Sequence, residues 1–161
     1  MKPRIVVFGY GNPSRGDDAL GPMLLDRVEA WLAVHPEFPV ELVTDFQLQI
    51  EHALDLQGAD LALFLDADVS CPHPFALRQA VPLQDASYSS HALSPEAVLH
   101  VCRELSGTEP PPSYILSIRG ERFELGEPLS PAAERNLEEA WRFLQKALRD
   151  GCAHLEEVGI R

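Results

Sequence analysis

The chain has 161 residues, 45% of them hydrophobic and 24% charged, with a formal net charge of −12. That size and balance predict a single globular domain, residues 1–161, long enough for a substantial core. The acidic excess argues against nucleic acid and anionic membrane as partners, because both are bound by clustered Lys and Arg.

Residues 1–4 lead straight into strand-like sequence, with no apolar targeting segment. No apolar run approaches the roughly 20 residues needed to span a bilayer. Cys71, Cys102 and Cys152 are odd in number and far apart. They make no disulfide framework and suit a reducing cytoplasm, the expected location.

A first strand is expected over Arg4–Phe8, followed by Gly9 and Gly11, which free the backbone to turn. Apolar residues at Leu20, Leu24, Val28, Trp31 and Leu32 predict a helix from about Asp18 to His35. Pro22 has no amide hydrogen and belongs in the first turn, so the helix should begin at Asp17 or Asp18, with either carboxylate as its cap. Val40–Val43 reads as a second strand, and a short helix through Ile50, Ala53 and Leu54 should stop at Gly58. Leu61–Leu65 is uninterruptedly apolar, as in a parallel strand buried on both faces, and Asp66 follows it.

Ala76–Val81 is a possible strand, and residues 87–91 form a polar loop. Ser94-Pro95 and Ser130-Pro131 each combine a capping hydroxyl with proline at the first helical position. The first of these helices carries Val98, Val101, Cys102 and Leu105 and should end at Gly107. The second carries Ala133, Leu137, Trp141, Leu144 and Leu148 and runs to about Arg149. Between them, Tyr114–Ile118 is a strand, and Phe123–Leu125 is read as a possible extension of the sheet edge. The tail from Cys152 is acidic and expected to fray. This alternation predicts an α/β fold: a three-layer α/β/α sandwich with a twisted, mostly parallel sheet of about five strands flanked by helices.

In such a sheet, ligands bind at the carboxyl ends of the strands. Acidic residues collect there: Asp17 and Asp18 after the first strand, Asp45 after the second, Asp66 and Asp68 after the third. A polar loop adds His91. Two carboxylates and one imidazole make a partial shell for a divalent transition metal. Each residue alone has a plainer reading, as a cap, a loop anchor or a solvated side chain. Gly9-Tyr10-Gly11 opens like a dinucleotide fingerprint, but its third glycine would fall at Ser14, and two acids at the helix start repel a pyrophosphate. There is no P-loop, no G-x-S-x-G and no H-E-x-x-H. Cys71-Pro72-His73 is read as a surface loop, and Glu51-His52 as a capping and surface pair.

The run Val7-Phe8-Gly9-Tyr10-Gly11-Asn12, continued by Gly16-Asp17-Asp18 and Gly21, resembles the signature of the hydrogenase maturation proteases. The likeness continues at Leu65-Asp66-Ala67, at Ser90-His91 and at Leu129-Ser130-Pro131, in order along nearly the whole chain. The resemblance implies an endopeptidase that removes a short carboxyl-terminal extension from the large-subunit precursor of a nickel-iron hydrogenase. It implies metal contact and catalysis by Asp18, Asp66 and His91, where some members have Glu in place of Asp18. Gly9, Gly11, Asn12, Asp17, Asp45 and Gln47 would form the substrate-binding loops. Phe46-Gln47-Leu48-Gln49 is similar to the branch serving soluble, cofactor-reducing hydrogenases. The nickel would be supplied by the precursor, with no tightly bound organic cofactor, and the protein would act as a monomer. Either the metal polarises the scissile bond, or it only positions the tail while a carboxylate such as Asp18 acts as base. The alternatives are a non-catalytic chaperone for the same precursor and a stand-alone metal-dependent hydrolase.

Overall fold

The structure, a computed structural model, describes residues 2–84 and 93–155. Five strands form one sheet in the order β2-β1-β3-β5-β4. They are β1 (Ile5–Tyr10), β2 (Val40–Asp45), β3 (Leu61–Asp68), β4 (Phe75–Ala80) and β5 (Ser113–Arg119). β1 pairs in parallel with β2 and β3, and β3 with β5. β4 runs antiparallel to β5 at one edge, so the sheet is mostly parallel, as expected.

Strand side chains alternate between the two faces. Ile5, Val7, Leu63, Leu65, Leu116 and Ile118 pack under helices α1 (Leu20–Val34) and α3 (Pro131–Arg149). Val6, Phe8, Ala62, Phe64 and Ile115 face helix α2 (Pro95–Ser106) and a 3-10 helix over Ile50–Leu56. On that side the Phe8 and Phe64 rings stack, with centroids 4.8 Å apart. Burial on both faces is why these strands read as continuous apolar runs.

The two serine-proline signals are realised. Ser94 Oγ accepts the Ala97 amide at 3.1 Å, and Ser130 Oγ accepts the Ala133 amide at 3.2 Å. Gly107 ends α2 in the left-handed region, with φ +71°.

Several expectations are corrected, the fraying of the tail from Cys152 among them, since Cys152 and Leu155 are buried in the core. Neither Asp17 nor Asp18 caps α1, which starts at Leu20 behind a 3-10 turn, Gly16–Ala19, without a side-chain cap. Their carboxylates are committed to other loops. β3 continues past Leu65 through Asp68, because its pairing with β5 continues in register. Phe123–Leu125 is not in the sheet; its segment wraps back onto the loop after β1. Leu105 of α2 is exposed, and so are Ile50 and Leu54 of the 3-10 helix. Cys71 is buried instead of lying at the surface, its Sγ 3.6 Å from the Ser117 carbonyl oxygen.

Helix α1 lies unusually close to the sheet. A Cβ on Gly21 would sit 2.5 Å from the Tyr10 carbonyl oxygen and 2.7 Å from that of Leu65. Gly9 in β1 serves the same contact from the strand side, since a Cβ there would lie 2.8 Å from the Gly21 carbonyl oxygen. In an exposed helix, Gly→Ala gains up to about 1 kcal/mol. Here both obstacles at Gly21 are backbone, which cannot swing aside. Gly21→Ala is therefore expected to destabilise by roughly 1–3 kcal/mol, the usual cost of overpacking. An unchanged or raised thermal midpoint would refute that reading.

Candidate active site

The carboxyl ends of β1, β3 and β5 lie side by side, and the predicted acids are distributed around this rim. The loop after β1 is fixed from two directions. The Gly11 amide donates to the Asp45 carbonyl at the end of β2, at 3.1 Å. Gly11 itself has φ +145°, and a Cβ on it would meet the Asp18 carbonyl oxygen at 2.1 Å. Only glycine lets the loop lie so tightly on the 3-10 turn. The Asn12 amide then donates to Asp18 Oδ2 at 2.7 Å, and the Ser14 amide to Asn12 Oδ1 at 2.9 Å. Asp18 thus holds the glycine loop in place with one oxygen and remains partly exposed.

Asp66 stands in β3 opposite Ser117 of β5 and is partly buried. Its carboxyl is pushed up to about 7. Burial is the main cause, and the nearby Asp68 carboxylate and then Asp18 add to it, against the Ala67 amide and the Tyr10 hydroxyl. Asp18 is thus within electrostatic reach of Asp66. Asp68, two residues on, behaves oppositely. The Ser70 amide foremost, helped by the Ser70 hydroxyl and by Arg119, holds it below the ordinary carboxylate value despite burial. Its Oδ1 accepts both Ser70 groups at 2.8 Å, so Asp68 remains a charged anchor of its own loop.

His91 lies outside the described residues. Leu93, two positions later, donates its amide to the Leu48 carbonyl at 3.3 Å. Among the described residues, no three His, Cys, Asp or Glu side chains gather so as to hold a metal ion.

Asp17 differs from its neighbour. It is completely buried and turned away from the rim. Its Oδ2 accepts the amides of Glu121 (2.7 Å) and Arg122 (3.0 Å) and the Ser130 hydroxyl (2.7 Å). Its Oδ1 accepts the Ser130 amide at 2.8 Å. Burial alone would raise its pKa, but these donors outweigh it and hold it below the ordinary value. Asp17 therefore builds the wall behind the site and has no oxygen to offer a substrate.

Asp45 is half occupied by its surroundings. Oδ1 accepts the Phe46 amide at 2.7 Å, and Oδ2 lies 3.4 Å from Nε2 of His52. Buried His52 also accepts the Gln49 amide at Nδ1, at 2.8 Å, closing a capping box on the 3-10 helix. Its capping role was expected; its burial and its link to Asp45 were not. Gln47 and Phe46 are both exposed beside the rim.

Tyr10 was not among the expected site residues. It ends β1 on the face shared with Phe8, and the β1–β3 register, one step past Gly9↔Leu65, sets it beside Asp66. Burial, then Asp66 and Glu96, raise its phenol well above the ordinary value.

No protein-family model matches the chain, and no curated protein matches it. Solved structures do. The hydrogenase maturating endopeptidase HybD from E. coli superposes with a TM-score of 0.68 at 23% identity, covering 91% of this chain and 93% of that one. The [NiFe] hydrogenase maturation protease HycI from Thermococcus kodakarensis KOD1 gives 0.66 at 23% identity, over 92% and 94%. The solution structure of an endopeptidase from Escherichia coli gives 0.69 at 25% identity, over 91% and 93%. The chain has the fold of the hydrogenase maturation endopeptidases along about nine-tenths of its length.

Proposed function

We propose that this chain is a processing endopeptidase that removes the carboxyl-terminal extension from the nickel-loaded large-subunit precursor of a [NiFe] hydrogenase. What supports the proposal is a fold shared with hydrogenase maturation endopeptidases, with Asp18 carried on the turn after β1 and Asp66 near the end of β3. The nickel belongs to the substrate. Asp18, Asp66 and His91 would meet it with two carboxylates and one imidazole, donors suited to a divalent transition metal. So engaged, the ion can polarise the scissile carbonyl or an attacking water.

The residues of the chain divide the remaining work. The Asn12 amide orients Asp18. Asp66, raised to about 7 chiefly by burial, gives up its proton when it takes up the precursor's cation. Exposed Phe46 and Gln47 offer the precursor a contact beside the rim. In this reading the protein acts in the cytoplasm as a monomer and needs no organic cofactor.

The test is processing of purified precursor, followed by mass spectrometry of the released peptide. Nickel-loaded precursor should be cut by the wild type. Asp18→Asn should lose about 100-fold or more in rate, in line with a general base or metal-contacting group. Cleavage of metal-free precursor at the same rate would overturn the reading of the metal. Full maturation by Asp18→Asn, Asp66→Asn and His91→Ala variants alike would replace the protease with a chaperone.

A further inference from the structure

β1 and β3 pair in register from Ile5↔Leu61 to Gly9↔Leu65. One step further along both strands stand Tyr10 and Asp66, on the face of Phe8 and Phe64. The Tyr10 hydroxyl is buried and has no hydrogen-bond partner of ordinary geometry among the described residues. It nevertheless interacts with the Asp66 carboxylate. The other charged groups that act on it, Arg78 of β4 and Glu96 of α2, are already paired with each other at 2.6 Å.

Burying a hydroxyl without a partner costs stability, and a phenylalanine ring would fill the same space without that cost. The hydroxyl thus makes no well-aligned hydrogen bond in the resting protein, yet it stands beside Asp66 on the paired strands and already acts on its carboxylate. We infer that Tyr10 is a positioning residue for Asp66: its hydroxyl donates to one carboxylate oxygen when the other engages the cation presented by the precursor. This rests on the reading of Asp66 as a contact for that cation. A neutral donor suits the task, because it orients a carboxylate ligand without competing for the cation's charge.

The experiment compares wild type, Tyr10→Phe, Asp66→Asn and the double variant. Calorimetric titration with nickel(II) alone should give an affinity about 10-fold weaker for Tyr10→Phe, and kcat on loaded precursor should fall about 10–100-fold, the usual effect of losing a group that orients a ligand. KM for the precursor should change little. The double variant should be no worse than Asp66→Asn, because the two residues act as one unit. The thermal midpoint of Tyr10→Phe should equal or exceed that of the wild type, which separates positioning from a structural role. Wild-type kcat in Tyr10→Phe, with activity lost in Asp66→Asn, would overturn the inference and leave the functional reading intact. Wild-type kcat in Asp66→Asn would overturn both. If nickel(II) alone binds neither protein measurably, the kcat comparison decides.

Discussion

Asp17→Ala is expected to destabilise the protein by about 3–5 kcal/mol, the range for breaking a buried, charge-assisted hydrogen-bond network. For a chain of this size that lowers the thermal midpoint by roughly 10 °C. The substitution strips the acceptor from three backbone amides and the Ser130 hydroxyl. Those donors sit where water does not readily replace the carboxylate. Asp17→Asn should recover little, because its amide group turns two donors toward other donors. The pH dependence follows from the lowered pKa. The stabilisation is fully present above the ordinary value of 3.8 and is lost as the pH falls through the lower folded value. Acid unfolding of the wild type should therefore draw on this residue, and that contribution should vanish in Asp17→Ala. A midpoint within about 2 °C of wild type, less than 1 kcal/mol, would show that the network is not the fastening described.

Asp66→Asn should do the reverse: raise stability and abolish processing. In the folded protein Asp66 gives up its proton near pH 7, against 3.8 ordinarily. Between those values the folded state holds a proton that the unfolded chain has released, so stability falls as the pH rises across the window. Above it the folded protein carries the full penalty of a charge it resists. Three pH units correspond to about 4 kcal/mol, an upper bound for a partly buried group, and about 2–4 kcal/mol is expected. Asparagine carries no such penalty. The variant should melt higher than wild type at pH 8, with the gap closing toward pH 4. Equal midpoints at pH 8 would mean that Asp66 is ionised without strain. The predicted gain marks Asp66 as a residue kept for chemistry at the expense of stability.

Much of this architecture was legible in the residues because burial leaves a simple trace. Val6, Phe8 and Leu61–Leu65 are apolar on both faces of their strands, and the two serine-proline pairs announce α2 and α3 by a local mechanism. What was illegible depends on long-range pairing. Asp66 and Asp68 read as loop residues, yet β5 keeps them in the ladder. Nothing local to Phe75–Ala80 encodes that it runs antiparallel. The apolar spacing of Phe123 and Leu125 suggested a strand, whereas the amides just before them are bound by a carboxylate over a hundred positions away. At the site, two adjacent aspartates looked equivalent. Only the 3-10 turn decides that Asp17 faces inward while Asp18 holds the glycine loop. Tyr10 was hidden because it was read as part of a flexible glycine loop, although it is the last residue of a strand.

The lacing of Ser14–Asp17 to residues 121–130 has a consequence for motion. The Gly16 amide bonds the Glu127 carbonyl, the Asp17 amide that of Arg122, and the Gly126 amide that of Ser14. Neither segment can swing away without breaking bonds in the other, so they open together as one cooperative unit or not at all. The wall behind Asp18 is thereby stiff.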